Sequence, residues 1–591
     1  MKTSRSDKPR GAGARATLLA CALAAVGQSA AQTATAPQPI IEQQRQQERE
    51  RALREQNERS VDERLPTPAA APAARIAQDE SPCFRIDRVV LTGEQAQRFQ
   101  WAVADLSGAD GEDSPIGRCL GTAGINTVLE RAQQNVIERG WVTTRILAAP
   151  QDLASGQLTL TVIPGRIAAI RLKDGSASPL LGARALLATA IPARPGDLLN
   201  LRDIEQGLEN LKRAPTADAD IRIEPSAAAD AKPGDSDLVV QYVQPKQWRL
   251  TLSADDSGTD ATGRNQGGVT ASLDNPFGLN DLLYVSYNHS LASPLFHGAD
   301  KGTDSRTVHY SLPYGYWALG ATGSRSGYHQ KVAGLSQSYE YSGESDNAEL
   351  RLSRLLYRDQ KRKTALALRA FRRASHNFVD DTEIQVQRRT VGGWELSLNH
   401  KEFVGKATLE ANLSYRRGTG AFGSIAAPEE PFGEGTSRFK LIAAELNFSL
   451  PFKLRLGASE YGLRYVGLAR GQWNRTPLTA QDRFAIGGRY SVRGFDGETS
   501  LLGDRGWLIR NDLGWALPQG GAELYLGVDY GRVGGPSAAG LIGNDLAGAA
   551  LGVRGAWKRL NYDLFAGAPI SKPRGYPTAD VTFGFSLLAG F

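Results

Sequence analysis

Few residues in this sequence are spaced for reaction chemistry, and those that stand out are suited to holding. Its six histidines show no metal-ligand spacing, and the chain carries neither a glycine-rich phosphate loop nor a nucleophile elbow. No catalysis, cofactor or metal is therefore expected. The run Arg483-Phe-Ala-Ile-Gly-Gly-Arg-Tyr-Ser-Val492-Arg493-Gly494-Phe495 sets an arginine between a small apolar residue and a glycine. The planar guanidinium fork grips a carboxylate in one geometry better than an ammonium can. Gly494 lets the chain turn tightly behind it. The bland reading of the same residues is an exposed turn.

Of three cysteines, Cys21 lies in an apparent leader, leaving Cys83 and Cys119. That leader has a basic start (Lys2, Arg5, Lys8, Arg10, Arg15), an apolar core from Ala16 to Val26, and Ser29 and Ala31 before Gln32. It reads as a secretory signal over 1–31, cut after Ala31. The rival reading, a lipoprotein site at Cys21, would leave a very short apolar core. In an oxidising compartment a Cys83–Cys119 disulfide is expected, stabilising its domain by about 3–4 kcal/mol in the chain-entropy model. Without histidine partners the pair makes a poor metal site.

The elements that position these residues fall into four blocks. Residues 32–60 hold a helix, clearest from Ile41 to Arg59, with almost no apolar face apart from Leu53. Some twenty residues make a rod of ~30 Å, about the thickness of a bilayer core. A Pro/Ala linker over 61–80 follows. Two α/β units, 81–165 and 166–245, then run in the same order of strand, helices, strand, strand. The first is read as a strand over Phe84–Leu91, a helical stripe of Ile125, Val128, Leu129, Ala132 and Val136, and strands over Trp141–Leu147 and Leu158–Ile163. The second has a strand over Ile167–Leu172, a helix over Asp203–Arg213, and strands about Ile221 and Leu238.

From 246 to 591 short segments alternate apolar and polar residues, as in Leu446, Phe448 and Leu450 against Glu445, Asn447 and Ser449. Past the leader no run of ~18 apolar residues could form a spanning helix, so any membrane crossing must be a closed barrel. The length allows roughly fourteen to eighteen strands. The last segment sets Phe583, Phe585 and Leu587 on one face and ends on Phe591. A formal charge of +6 over 591 residues, without a long basic block, excludes nucleic acid as a partner.

The Val492–Phe495 run, Gly503-Asp-Arg-Gly-Trp507 and Leu526-Gly-Val-Asp529-Tyr-Gly-Arg-Val533 occur in this order after Trp141–Leu147, Leu158–Arg166, Asp274–Leu282 and Ser311–Trp317. In that order they resemble the two-partner secretion transporters, the haemolysin/haemagglutinin secretion and activation type of POTRA-plus-barrel protein. The resemblance implies a transmembrane antiparallel β-barrel of 16 strands over 246–591, preceded by two α+β POTRA domains and an N-terminal plug helix. It implies an outer-membrane pore that secretes an unfolded adhesin- or haemolysin-type exoprotein captured by periplasmic POTRA domains. It further implies that Arg493 meets Asp529 of the barrel wall, that outer-membrane lipids surround the barrel, and that the barrel-assembly machinery reads the terminal aromatic strand. The alternative within the superfamily is the barrel-assembly insertase, which carries more POTRA units and no polar plug.

Overall fold

The computed structural model describes residues 38–58, 61–66, 75–108, 111–174, 180–291, 300–518 and 520–591. The expected leader and the stretch 67–74 of the expected linker lie outside them.

Lipid offers a strand no hydrogen-bond partner, so a sheet that crosses it has to close on itself. Among the described residues, sixteen long strands run antiparallel from Trp248–Asp255 to Thr582–Gly590. The two-residue strand Thr382–Glu383 extends one hairpin. The last long strand pairs with the first, from Ser586 opposite Asp255 to Gly590 opposite Thr251, and closes the barrel. The two-residue period decides what each wall presents. In Glu523–Gly534, Leu524, Leu526 and Val528 face outward and are exposed, whereas Tyr525 and Asp529 face inward and are buried. Trp248, Trp317, Trp473 and Trp557 sit at or next to strand ends on the outer face, where an amphipathic ring suits the bilayer interface.

In the first α/β domain, Gln157–Ile163 pairs in parallel with Arg88–Gly93 and antiparallel with Arg145–Leu147. Helix Thr122–Glu138 buries Val128, Ala132 and Val136 against Leu158, Leu160 and Val162. The single strand expected over Phe84–Leu91 is divided at Asp87. Its first part, Phe84–Ile86, pairs with Arg118–Leu120, and a Cys83–Cys119 disulfide joins the two. Only Arg145–Leu147 of the expected strand Trp141–Leu147 is extended, because Thr144 N–H turns back to the Trp141 carbonyl (3.3 Å).

The second domain is a three-stranded sheet of Arg166–Leu172, Asp235–Val243 and Asp218–Pro225 covered by helices Ala183–Ala190 and Leu201–Leu211. Asn200 Oδ1 caps the latter by accepting the Arg202 N–H at 2.8 Å. Helix Gln38–Asn57 stands in the barrel lumen, bonded at one end to Thr262 in the loop far from the two α/β domains and at the other to Ser272 near them.

Asp113 organises the loop that closes the first domain. Its carboxylate accepts the Ile76 N–H at 2.8 Å and pairs with Arg118 at 2.7 Å and with buried Arg131. Burial raises this carboxyl, but the Ile76 N–H and the two guanidiniums outweigh it and hold the pKa below its ordinary value. A depressed folded-state pKa gives stability that is present above the unfolded value of about 3.9 and lost as pH falls through the folded one. Asp113→Asn should cost the domain about 3–5 kcal/mol. Hydrogen exchange across Thr122–Glu138 checks this: protection in the native chain should persist at about pH 5 and fall only in stronger acid, whereas the variant should be weakly protected at both.

Candidate functional site

The loop 475–504 between strands Ser459–Asn474 and Arg505–Ala516 folds back into the lumen. A short hairpin, Phe484–Ile486 with Leu501–Gly503, stiffens it. Phe484, Ile486, Val492, Phe495 and Leu501 pack with Leu508, Val533, Leu546 and Tyr576 in a small apolar cluster. Phe495 meets Tyr576 edge to face, with ring centroids 5.7 Å apart.

At the loop tip Arg493 is 4% exposed and Asp529 1%. The guanidinium grips Asp529 with both prongs, Nε to Oδ2 and Nη2 to Oδ1, each at 2.7 Å. The backbone N–H of Arg493 donates to the same carboxylate at 2.9 Å. Nη2 also donates to Asp512 Oδ1 at 2.6 Å, and Asp512 in turn faces Arg554 at 3.2 Å. Asp512 had no place in the sequence reading. It lies in the polar run Arg510-Asn511-Asp512, where alternation with exposed Ile509 and Leu513 puts it on the inner face but does not show that the folded-in loop reaches it.

The wall is carved to admit the loop. Gly494 has φ +93°, and a Cβ there would approach the Ala568 carbonyl oxygen to 2.4 Å. A Cβ on Gly548 would stand 1.9 Å from the Arg493 carbonyl oxygen. A second clasp reaches the seam: Arg489 Nη1 donates to Asp256 Oδ1 at 2.7 Å, and that oxygen also accepts the Phe585 N–H at 2.8 Å. Of the terminal aromatic residues, Phe583 is exposed, while Phe591 exchanges backbone hydrogen bonds with Leu250 of the first strand.

The helix Gln38–Asn57 is held almost entirely by polar contacts. Glu48 pairs with Arg470 at 2.9 Å, Arg51 with Glu445 at 2.5 Å, and Arg54 with Glu349. Ser324 donates to Glu50 at 2.5 Å. The helix also touches the folded-in loop, through Arg45 to the Gly497 carbonyl (2.6 Å) and Gln44 to the Arg483 carbonyl (3.3 Å). A cavity of about 1110 Å³ remains beside it, lined by charged side chains that include Arg351, Arg369, Glu395 and Arg416. This arrangement is a wide polar conduit occupied by a polar rod and a clasped loop.

Comparison with known proteins adds the following. The family described as haemolysin secretion/activation protein ShlB/FhaC/HecB matches residues 234–555. A ShlB-type POTRA domain matches 84–165 and a further POTRA domain matches 166–225. The chain is 37% identical over 585 residues to the outer membrane transporter CdiB-2 of Burkholderia pseudomallei (strain 1026b), covering 95% of each protein. It is 27% identical over 467 residues to the hemolysin transporter protein ShlB of Serratia marcescens, covering 78% of each. Among solved structures, CdiB from Acinetobacter baumannii superposes with a TM-score of 0.80 at 30% identity, over 95% of this chain and 100% of that one.

Gly548→Val should push the loop off the wall without touching an ionic group. In the purified protein in liposomes, tryptic cleavage at Arg489 and Arg493 should accelerate by at least about tenfold, the factor that about 1.4 kcal/mol corresponds to. Gly462→Ala, whose new Cβ would meet only Ala516 Cβ at 3.8 Å, should leave cleavage unchanged.

Proposed function

The chain belongs to the haemolysin secretion/activation family ShlB/FhaC/HecB, and from that premise we propose how its parts divide the work of export. It is an outer-membrane transporter of two-partner secretion, with its barrel in the membrane and its POTRA domains in the periplasm. The POTRA domains receive an unfolded exoprotein of the adhesin or haemolysin type by pairing with its backbone, a mode that needs no folded client. The helix Gln38–Asn57 is the resting plug and withdraws toward the periplasm to open the conduit. Arg493, held by Asp529 and Asp512, fixes the inward loop so that the lumen keeps one shape while the client passes. Folding of the client outside supplies direction, and the cycle makes or breaks no covalent bond.

The observation that carries this reading is a lumen filled by a helix whose contacts are nearly all polar. Such contacts can be exchanged for water, so the rod can leave without baring a large apolar face. The folded-in loop stays behind on its own clasp.

Two measurements test the division of work. Arg493→Ala leaves Asp529 buried without its main partner, a loss of about 3–5 kcal/mol, and secretion of a co-expressed partner exoprotein should drop severely while the barrel still inserts. Undiminished secretion would remove the role given to Arg493. Deleting residues 32–60 should raise single-channel conductance several-fold in planar bilayers; equal conductance would show that the helix does not gate the pore.

A further inference from the structure

Residues 61–66 follow the plug and run extended through a cleft between helix Leu201–Leu211 and the periplasmic rim of the barrel. Their burial alternates residue by residue, as in a strand. The peptide N–H groups of Glu63 and Leu65, which lie on one edge of the extended chain, donate to Glu209 Oε1 at 2.9 Å and to Glu205 Oε1 at 2.8 Å. The Glu63 carbonyl accepts from Arg358 Nη2. These bonds recognise backbone and would accept any extended segment. The side chains add a pattern. Asp62 sits between Lys363 (2.9 Å) and Lys401 (2.6 Å), Glu63 pairs with Lys212 (2.9 Å), Arg64 lies 4.1 Å over the Phe403 ring, and Leu65 packs on the edge of the second POTRA core.

The cleft is built around an occupant. Glu205 is 0% exposed and Arg358 8%. The Glu205 carboxylate is shared among Arg202 (2.6 Å), Arg358 (3.0 Å) and the Leu65 N–H. Taking the peptide away removes a donor from a fully buried carboxylate, which is costly unless another donor replaces it.

The resident segment cannot stay when the plug leaves. The helix must travel ~30 Å to clear the lumen, whereas four peptide units of ~14 Å anchored at Asp62 let Glu58 move at most ~28 Å even from one full extension to the other. Withdrawal therefore draws residues 61–66 out of the cleft at the moment the conduit opens, and the cleft stands at the mouth through which a client must pass.

We propose that this cleft is a binding subsite for an extended polypeptide, occupied at rest by residues 61–66 as an internal stand-in and taken over during export by a client segment of the pattern acidic, acidic, basic, aliphatic. The client half rests on the secretion reading above. The site couples opening to capture: the plug's departure uncovers a peptide-shaped vacancy lined with buried charge.

The test uses the full-length protein in detergent and a fluorescein-labelled peptide Val-Asp-Glu-Arg-Leu-Pro. The double variant Glu63→Pro with Leu65→Pro removes both resident N–H donors from the cleft. Fluorescence anisotropy should show saturable binding to this variant, at least about tenfold tighter than to the unaltered chain, whose own segment competes. Adding Lys401→Ala, or exchanging the peptide's aspartate for lysine and its arginine for glutamate, should weaken binding by a similar factor. Equal binding to the unaltered chain and the double variant, or no saturable binding to either, overturns the proposal. Failure of the unaltered chain to secrete a co-expressed partner exoprotein would overturn the secretion reading and with it the client half, while the peptide titration still judges the cleft on its own.

Discussion

A sheet that crosses hydrocarbon must satisfy every backbone N–H and carbonyl within itself, and this demand shapes the protein from the outside inward. Closure from Thr582–Gly590 onto Trp248–Asp255 meets it and leaves an enclosed interior. Because side chains alternate, the same strands that offer leucine and valine to lipid must offer the other half of their residues to that interior. Many of those are charged. Whatever occupies the interior is therefore chosen by charge and hydrogen bonding, which is how both the helix Gln38–Asn57 and the loop around Arg493 are held.

The two occupants are not independent. Arg45 and Gln44 of the helix bond to carbonyls of the folded-in loop, and the loop is in turn fixed to the wall at Asp529, Asp512 and Asp256. At the other end the segment 61–66 ties the helix to the second POTRA domain through Glu205, Glu209 and Lys212. Arg358 of the barrel rim meets the same carboxylates, so one cluster of charge joins plug, periplasmic domain and barrel. A shift in any one of the three changes the surroundings of the other two.

How much of this could be read beforehand follows from how local each signal is. The barrel was legible because a period of two recurs within each strand, and that same parity puts Asp529 on the inner face with Tyr525 and Gly527. The number of sixteen strands came from the resemblance and not from alternation: strands range from the 8 residues of Trp248–Asp255 to the 21 of Ser338–Arg358, and length divided by an average cannot recover that spread. Asp512 escaped because its contact with Arg493 depends on how strands sit against one another. The break at Asp87 escaped for a similar reason, since Phe84–Ile86 turns to Arg118–Leu120 while Arg88–Gly93 turns to Gln157–Ile163. Residues 61–66 share the look of the linker they begin, and their partners lie some 140 or more positions away in the chain.

The composition of the plug has a thermodynamic consequence. Apart from Pro39 its aliphatic side chains are Ile40, Ile41, Ala52 and Leu53, so moving it from lumen to water uncovers little apolar surface. Heat-capacity change follows apolar exposure, and a transition with little of it has an enthalpy that barely varies with temperature. Its balance instead responds to dissolved ions, which screen partly wetted charge pairs over about a nanometre at ordinary salt. A pore built this way responds to temperature through one nearly constant enthalpy, without the curvature that apolar exposure brings, and its set point shifts with the salinity of the surrounding water.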